Sequence, residues 1–125
     1  MLGDTDVLIW NLRGNEQAAE RLDDMRGFAV SAVTYMELVQ GLRNKQEQQQ
    51  LRRAMRYWEV ELVHLHEGIS ARAAFLVESY ALSHGMQMAD AVIAATALEL
   101  GITLLTANDR HYRHIDGLKI EIFRP

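Results

Sequence analysis

The sequence predicts an α/β domain, a short and mainly parallel sheet flanked by helices, and two observations carry that prediction. Short apolar runs of strand length alternate along the chain with longer segments of helical spacing, and glycines stand where several helical segments would close. A parallel sheet covered on both faces binds ligands beyond the carboxyl ends of its strands. Residues that directly follow the strands are therefore the first candidates for chemistry.

In chain order, Leu2 ends a clipped first strand and Val7 to Leu12 has helical spacing. Gly14 can adopt the left-handed conformation that closes a helix, and Asn15 can cap the next one, Glu16 to Met25. The run Phe28-Ala29-Val30 is a strand, followed by helical segments from Thr34 to Leu42 and from Glu47 to Tyr57. Val60 to Val63 is the next strand. Ile69 to Ser83 and Asp90 to Leu100 are helical and end at Gly85 and Gly101, and Ile102 to Leu105 and Ile120 to Phe123 complete the strands. Leu51, Met55 and Trp58, with Met36, Val39 and Leu42, recur at helical spacing and predict core packing.

With 125 residues, 49% hydrophobic composition and no Pro/Gly/Ser-rich linker, the chain is expected to form one domain spanning 1–125. Its apolar runs fall far short of the roughly 20 residues that cross a bilayer, and no basic region followed by an apolar stretch opens the chain. No membrane association and a cytoplasmic location are expected. The absence of cysteine excludes disulfides, thiolate zinc sites and thiol nucleophiles. A net charge of −4 argues against a protein that coats nucleic acid by bulk electrostatics, but not against an enzyme that gathers acids around a metal and bases along phosphates.

Acids recur after the strands. Asp4 follows the first apolar residues, Glu37 lies after the strand at Phe28, Asn108-Asp109 follow Leu105-Thr106, and Asp90 opens the Ala-rich helix. Each also has an ordinary reading: Asp4 or Thr5 as a helix cap, Thr34-x-x-Glu37 as a capping box, Asp90 as an acid favoured by the helix dipole, and Asn108-Asp109 as turn residues. Those readings leave unexplained why acids return after successive strands in otherwise apolar contexts.

The ordered set Asp4-Thr5-Asp6-Val7-Leu8-Ile9, Ser31-x-x-Thr34-x-x-Glu37-Leu38, Ala89-Asp90-Ala91-x-Ile93-Ala94-Ala95-Thr96-Ala97 and Thr106-x-Asn108-x-x-His111-Tyr112 resembles PIN-domain ribonucleases, especially VapC-like toxins of bacterial toxin–antitoxin systems. The resemblance covers nearly the whole chain. It implies a Mg²⁺ or Mn²⁺ site at one end of the sheet, with Asp4, Glu37 and Asp90 in the three best-defined acidic positions and either Asn108 or Asp109 in the fourth. Asp6 stands where the family often has Asn, and Met1-Leu2-Gly3 is a short lead.

On that reading Asp4 and Asp90 bind the metal directly, while Glu37 and Asn108 or Asp109 act through water or a second ion. Thr5, Asp6, Ser31, Thr34 and Thr106 would orient carboxylates or waters. The resemblance further implies an RNA substrate, phosphodiester hydrolysis by water leaving a 5′-phosphate, an antitoxin protein partner and a homodimer.

Arg43, Arg52, Arg53 and Arg56 cluster around a glutamine-rich helix, as a solvated face or as an RNA-guiding strip. His64-x-His66 and the pair His111 and His114 are spaced for zinc, but no third ligand accompanies either. Two other functions compete. Asp4-Thr5-Asp6 resembles the opening of haloacid-dehalogenase phosphatases, whose chemistry also requires a downstream lysine, and the only lysines are Lys45 and Lys119. A catalytically inactive PIN-like RNA-binding or scaffold domain is the other alternative.

Overall fold

A computed structural model describes all residues, 1–125. The elements are β1 (Leu2–Gly3), α1 (Thr5–Leu12), α2 (Glu16–Asp24), β2 (Ala29–Ser31), α3 (Ala32–Gln40), α4 (Lys45–Tyr57), β3 (Glu61–Val63), α5 (Glu67–His84), α6 (Met88–Leu100), β4 (Leu104–Thr106), a 3₁₀ turn (Asp109–His111) and β5 (Ile120–Ile122). All five strands pair in parallel, in the order β3-β2-β1-β4-β5. The chain thus builds outward from β1 on one side and then crosses back to lay β4 on the other. The crevice where this reversal occurs opens beyond the ends of β1 and β4.

Alternation along the strands divides the core into two layers. Leu2, Ala29 and Leu104 pack with α5 and α6 through Ile69, Leu76 and Ile93. Val30 and Leu105 face the other way, against Leu8, Leu22, Leu38, Leu51 and Trp58. Both faces of the sheet are covered, which is why its strands read as apolar runs rather than as alternating ones. Gly3 permits this closure on the α1 side, because a Cβ there would stand 3.2 Å from Leu8 Cδ1.

The helix ends follow the expected chemistry. Asn15 accepts a 2.8 Å hydrogen bond from Ala18 N, and Gly85 and Gly101 close α5 and α6 with φ of 62° and 65°. Five helices, α1, α3, α4, α5 and α6, begin two residues earlier than periodicity predicts, and two of these starts bear on the candidate residues. Ser31 leads from β2 into α3 without a loop and caps it by accepting a 3.1 Å hydrogen bond from Val33 N, so Thr34 lies inside the helix. The ordinary reading of Thr34 and Glu37 as a capping box therefore does not hold, and Glu37 is left free to turn elsewhere. Helix α6 starts at Met88, which places Asp90 in its first turn rather than at its opening.

Candidate functional site

Asp4 is the residue immediately after β1, and its backbone N–H continues the ladder by donating to Leu105 O at 2.9 Å. Its carboxylate caps α1 by accepting from Thr5 N at 2.8 Å. The ordinary reading of Asp4 as a cap thus holds, but it accounts for only part of the side chain's surroundings. Thr106, at the end of the neighbouring β4, donates its hydroxyl to Asp4 Oδ2 at 2.7 Å, and Tyr112 OH lies 3.1 Å from Asp4 Oδ1.

From these bridges the other acids are reached. Asp6, in the first turn of α1, accepts from Ala107 N at 3.1 Å and stands 3.4 Å from the Thr106 hydroxyl. Asp90 Oδ1 lies 3.2 Å from the same Tyr112 OH, and its Oδ2 is 3.0 Å from His111 Nδ1. Glu37 reaches from α3 to the start of α1, where its Oε1 accepts from Thr5 Oγ1 at 2.8 Å. Thr5 Oγ1 is in turn 3.0 Å from Thr34 Oγ1. Asp4, Asp6, Asp90 and Glu37 are thereby linked through Thr5, Thr106 and Tyr112 at the crevice.

The electrostatics follow from burial. Asp4 is 5% exposed; loss of water, and then the charges of Asp6 and Asp90, push its carboxyl up to about 7, against the opposing hydrogen bonds from Thr106 and Thr5. Burial also raises Asp6, offset in part by the N–H of Ala107. The Tyr112 phenol is held far above its ordinary range by burial and by the two carboxylates beside it, so it remains protonated. Negative charge is concentrated here without a lysine or arginine bonded to Asp4, Asp6 or Asp90.

Such a set could hold a hard divalent cation, because every carboxylate is an oxygen donor and a positive ion would relieve the field that raises Asp4. Asp4, Asp6, Asp90 and Glu37 are the carboxylates that could contribute to holding it. No three acidic or histidine side chains are already gathered into a closed cage. Each carboxylate is instead turned to a hydroxyl or N–H donor, so a cation would have to draw them away from these partners.

The two candidates for the fourth position touch none of these carboxylates with their side chains. Asp109 pairs with Arg124 at 3.2 Å, and that hydrogen bond holds its carboxyl below the ordinary range. Asn108 Nδ2 meets His111 Nε2 at 3.0 Å. Of Asp6 and Asp109, Asp6 is the one that meets the Thr106 hydroxyl, whereas Asp109 meets Arg124 and the backbone N–H of Asn108 donates to Thr106 Oγ1 at 3.0 Å. Ser31 serves its own helix as a cap. Tyr112 was missed as a site residue although it ends the last motif; an aromatic residue in an apolar setting reads as core, and its hydroxyl carries the contact.

The histidine pairs make no zinc site. His66 Nδ1 caps α5 by accepting from Ile69 N at 3.4 Å, and His114 stacks on His84 with ring centroids 4.2 Å apart. A phosphatase-type lysine is also missing from the crevice. Lys119 precedes β5 and its carbonyl accepts from Leu104 N at the start of β4, on the opposite rim, while Lys45 begins α4 in an exposed position. The haloacid-dehalogenase reading is not favoured.

Comparison with known proteins now decides the family, since the PIN-domain model matches residues 1–118. The chain belongs to the PIN-domain family of nucleases. Among solved structures, this PIN domain is similar to a chain of a toxin–antitoxin complex from Klebsiella pneumoniae, with 27% identity, a TM-score of 0.79, and 94% of this chain and 93% of that chain covered. FitAcB from Neisseria gonorrhoeae is 28% identical with a TM-score of 0.72, over 95% of this chain and 94% of that chain. VapBC-1 from nontypeable Haemophilus influenzae, at 22% identity, shares the fold with a TM-score of 0.80 over 97% and 96% of the two chains. No curated protein sequence matches the chain. No helix is long and apolar enough to cross a membrane.

Proposed function

We propose that this PIN domain is a Mg²⁺- or Mn²⁺-dependent endoribonuclease, the toxin of a toxin–antitoxin pair. The observation that carries the nuclease reading is the sharing of two hydroxyls, Thr106 and Tyr112, among Asp4, Asp6 and Asp90 at the sheet's reversal point. When bound, a divalent cation supplies an activated water and neutralises charge on a phosphodiester. The chain's own residues prepare the place. Thr5 N and Thr106 Oγ1 fix both oxygens of Asp4, His111 and Tyr112 hold Asp90, and Thr5 orients Glu37. Glu37 Oε2 stays free to accept from a substrate hydroxyl or water. Hydrolysis by water leaves a 5′-phosphate.

The toxin role rests on similarity to the Klebsiella and Neisseria proteins, both more than 25% identical, the first of them solved as a toxin–antitoxin complex. A cleft of about 340 Å³ supports a protein partner: Ile9, Leu12, Leu38 and Leu42 line it, with Glu37, Arg13 and Arg43 at its edges. An antitoxin segment seated there would cover the approach to Glu37. A homodimer forms the last part of the proposal, supported by Met36 and Met88, which are 52% and 77% exposed on the contacting helices α3 and α6.

The deciding experiment incubates purified protein with structured RNAs in Mg²⁺, Mn²⁺ or EDTA, beside Asp4→Asn and Asp90→Asn. Cleavage is expected with metal, with loss of activity in EDTA and in both folded variants. Undiminished cleavage by both variants would refute the site, and RNA binding without turnover in any metal would favour the inactive-scaffold alternative.

A further inference from the structure

Consecutive residues after β4, His111 and Tyr112, approach Asp90 from two sides. His111 Nδ1 is 3.0 Å from Oδ2, and Tyr112 OH is 3.2 Å from Oδ1. The phenol also stands 3.1 Å from Asp4 Oδ1. Tyr112 is wholly buried, and its ring belongs to the core layer that contains Ile93 and Ile115. A tyrosine buried this deeply is a fixed post. Its hydroxyl is carried to the crevice by packing, not by a flexible stem.

Those contacts reach across the fold. Asp4 is attached to β1, whereas Asp90 is on α6, and no hydrogen bond joins the two carboxylates directly. Tyr112 is the side chain that touches both. A phenylalanine would fill the same space in the core, so packing alone does not call for the hydroxyl. His111 adds a second restraint on Asp90 and is itself held at its other ring nitrogen by Asn108 Nδ2, at 3.0 Å.

We propose that His111 and Tyr112 are positioning residues that clamp Asp90 and set its spacing from Asp4 for a divalent cation. The inference rests on the nuclease reading of the same site. Partners that orient ligating carboxylates typically change metal affinity by about 10–100-fold when removed, because the ligands must then be ordered by the ion itself. The clamp also explains why Asn108 lies in the last motif although its side chain touches none of the carboxylates: it orients the histidine.

The test is a Mn²⁺ titration by calorimetry at fixed pH on the full chain, with thermal unfolding in EDTA recorded for every variant. Tyr112→Phe is expected to bind Mn²⁺ about 10–100-fold more weakly while keeping a cooperative transition. His111→Ala is expected to weaken binding too, and His111→Asn, which retains a side-chain N–H donor, to recover part of the loss. Mn²⁺ affinity in Tyr112→Phe equal to or tighter than that of the wild type would overturn the clamp, as would a lowered melting temperature with unchanged affinity. Failure of the wild type to bind Mn²⁺ would instead overturn the metal-dependent reading on which the clamp rests.

Discussion

Replacing Asp4 by Asn should remove activity and yet stabilise the metal-free protein above neutral pH. Asp4 rises from an ordinary 3.8 to about 7 on folding, so between those values the folded chain holds a proton that the unfolded chain has released. Folding is then opposed progressively as pH rises from about 4, and the opposition is complete above about 7. The linkage relation sets its size at about 4 kcal/mol. Asn is uncharged at every pH and can keep the cap to Thr5 N. With Oδ1 kept for Thr5 N and Tyr112, its amide NH₂ stands where Oδ2 accepts from Thr106, and that lost acceptor costs about 1–2 kcal/mol.

The two contributions predict a crossover. In EDTA at pH 8, Asp4→Asn should be more stable than the wild type by about 2–3 kcal/mol, a rise in melting temperature on the order of 10 °C for a chain of this size. Near pH 4 the variant should be the less stable of the two. Chemical denaturation across pH 4–8 in EDTA measures the difference directly. A variant destabilised by the same margin at both ends of that range would refute the argument that Asp4 is held in an unfavourable field.

Further outcomes concern the surface and the core. Arg52 and Arg56 form no ion pair and, with Arg53 and Gln49, line a polar depression on α4. Arg52→Ala/Arg56→Ala is expected to weaken RNA binding and to lower its salt slope by about 1–1.5, measured by fluorescence anisotropy; unchanged binding would make the strip a solvated face. Trp58 is 5% exposed, lies 6.0 Å from Phe28 and donates its indole N–H to Asp23 at 2.7 Å. Trp58→Ala should cost about 3–5 kcal/mol in guanidinium unfolding.

Much of the fold was legible because burial on both sheet faces leaves continuous apolar runs, and because Asn15, Gly85 and Gly101 mark helix ends by local chemistry. Helix starts were read two residues late in five helices, and the error mattered most where one residue serves two elements. Ser31 both ends β2 and caps α3, a junction with no loop to announce it, and the missed cap turned Thr34–Glu37 into an apparent capping box. In the site, Asp4, Glu37 and Asp90 were legible from their places after strands and at a helix start. Asp6 was named beside Asp4, but which way Asp6 and Asp109 point was not legible, because the direction of a side chain in a first helical turn or a 3₁₀ turn depends on backbone orientation that residue spacing does not encode. Tyr112 escaped because its ring obeys the core pattern and its hydroxyl does not.

The central claim is that Asp4, Asp6 and Asp90 form one cation site. Anomalous diffraction from a crystal grown with Mn²⁺ tests it most directly. A peak within bonding distance of Asp4 and Asp90, lost in Asp4→Asn, is the predicted result; Mn²⁺ found only at Asp109 or elsewhere on the surface would contradict it.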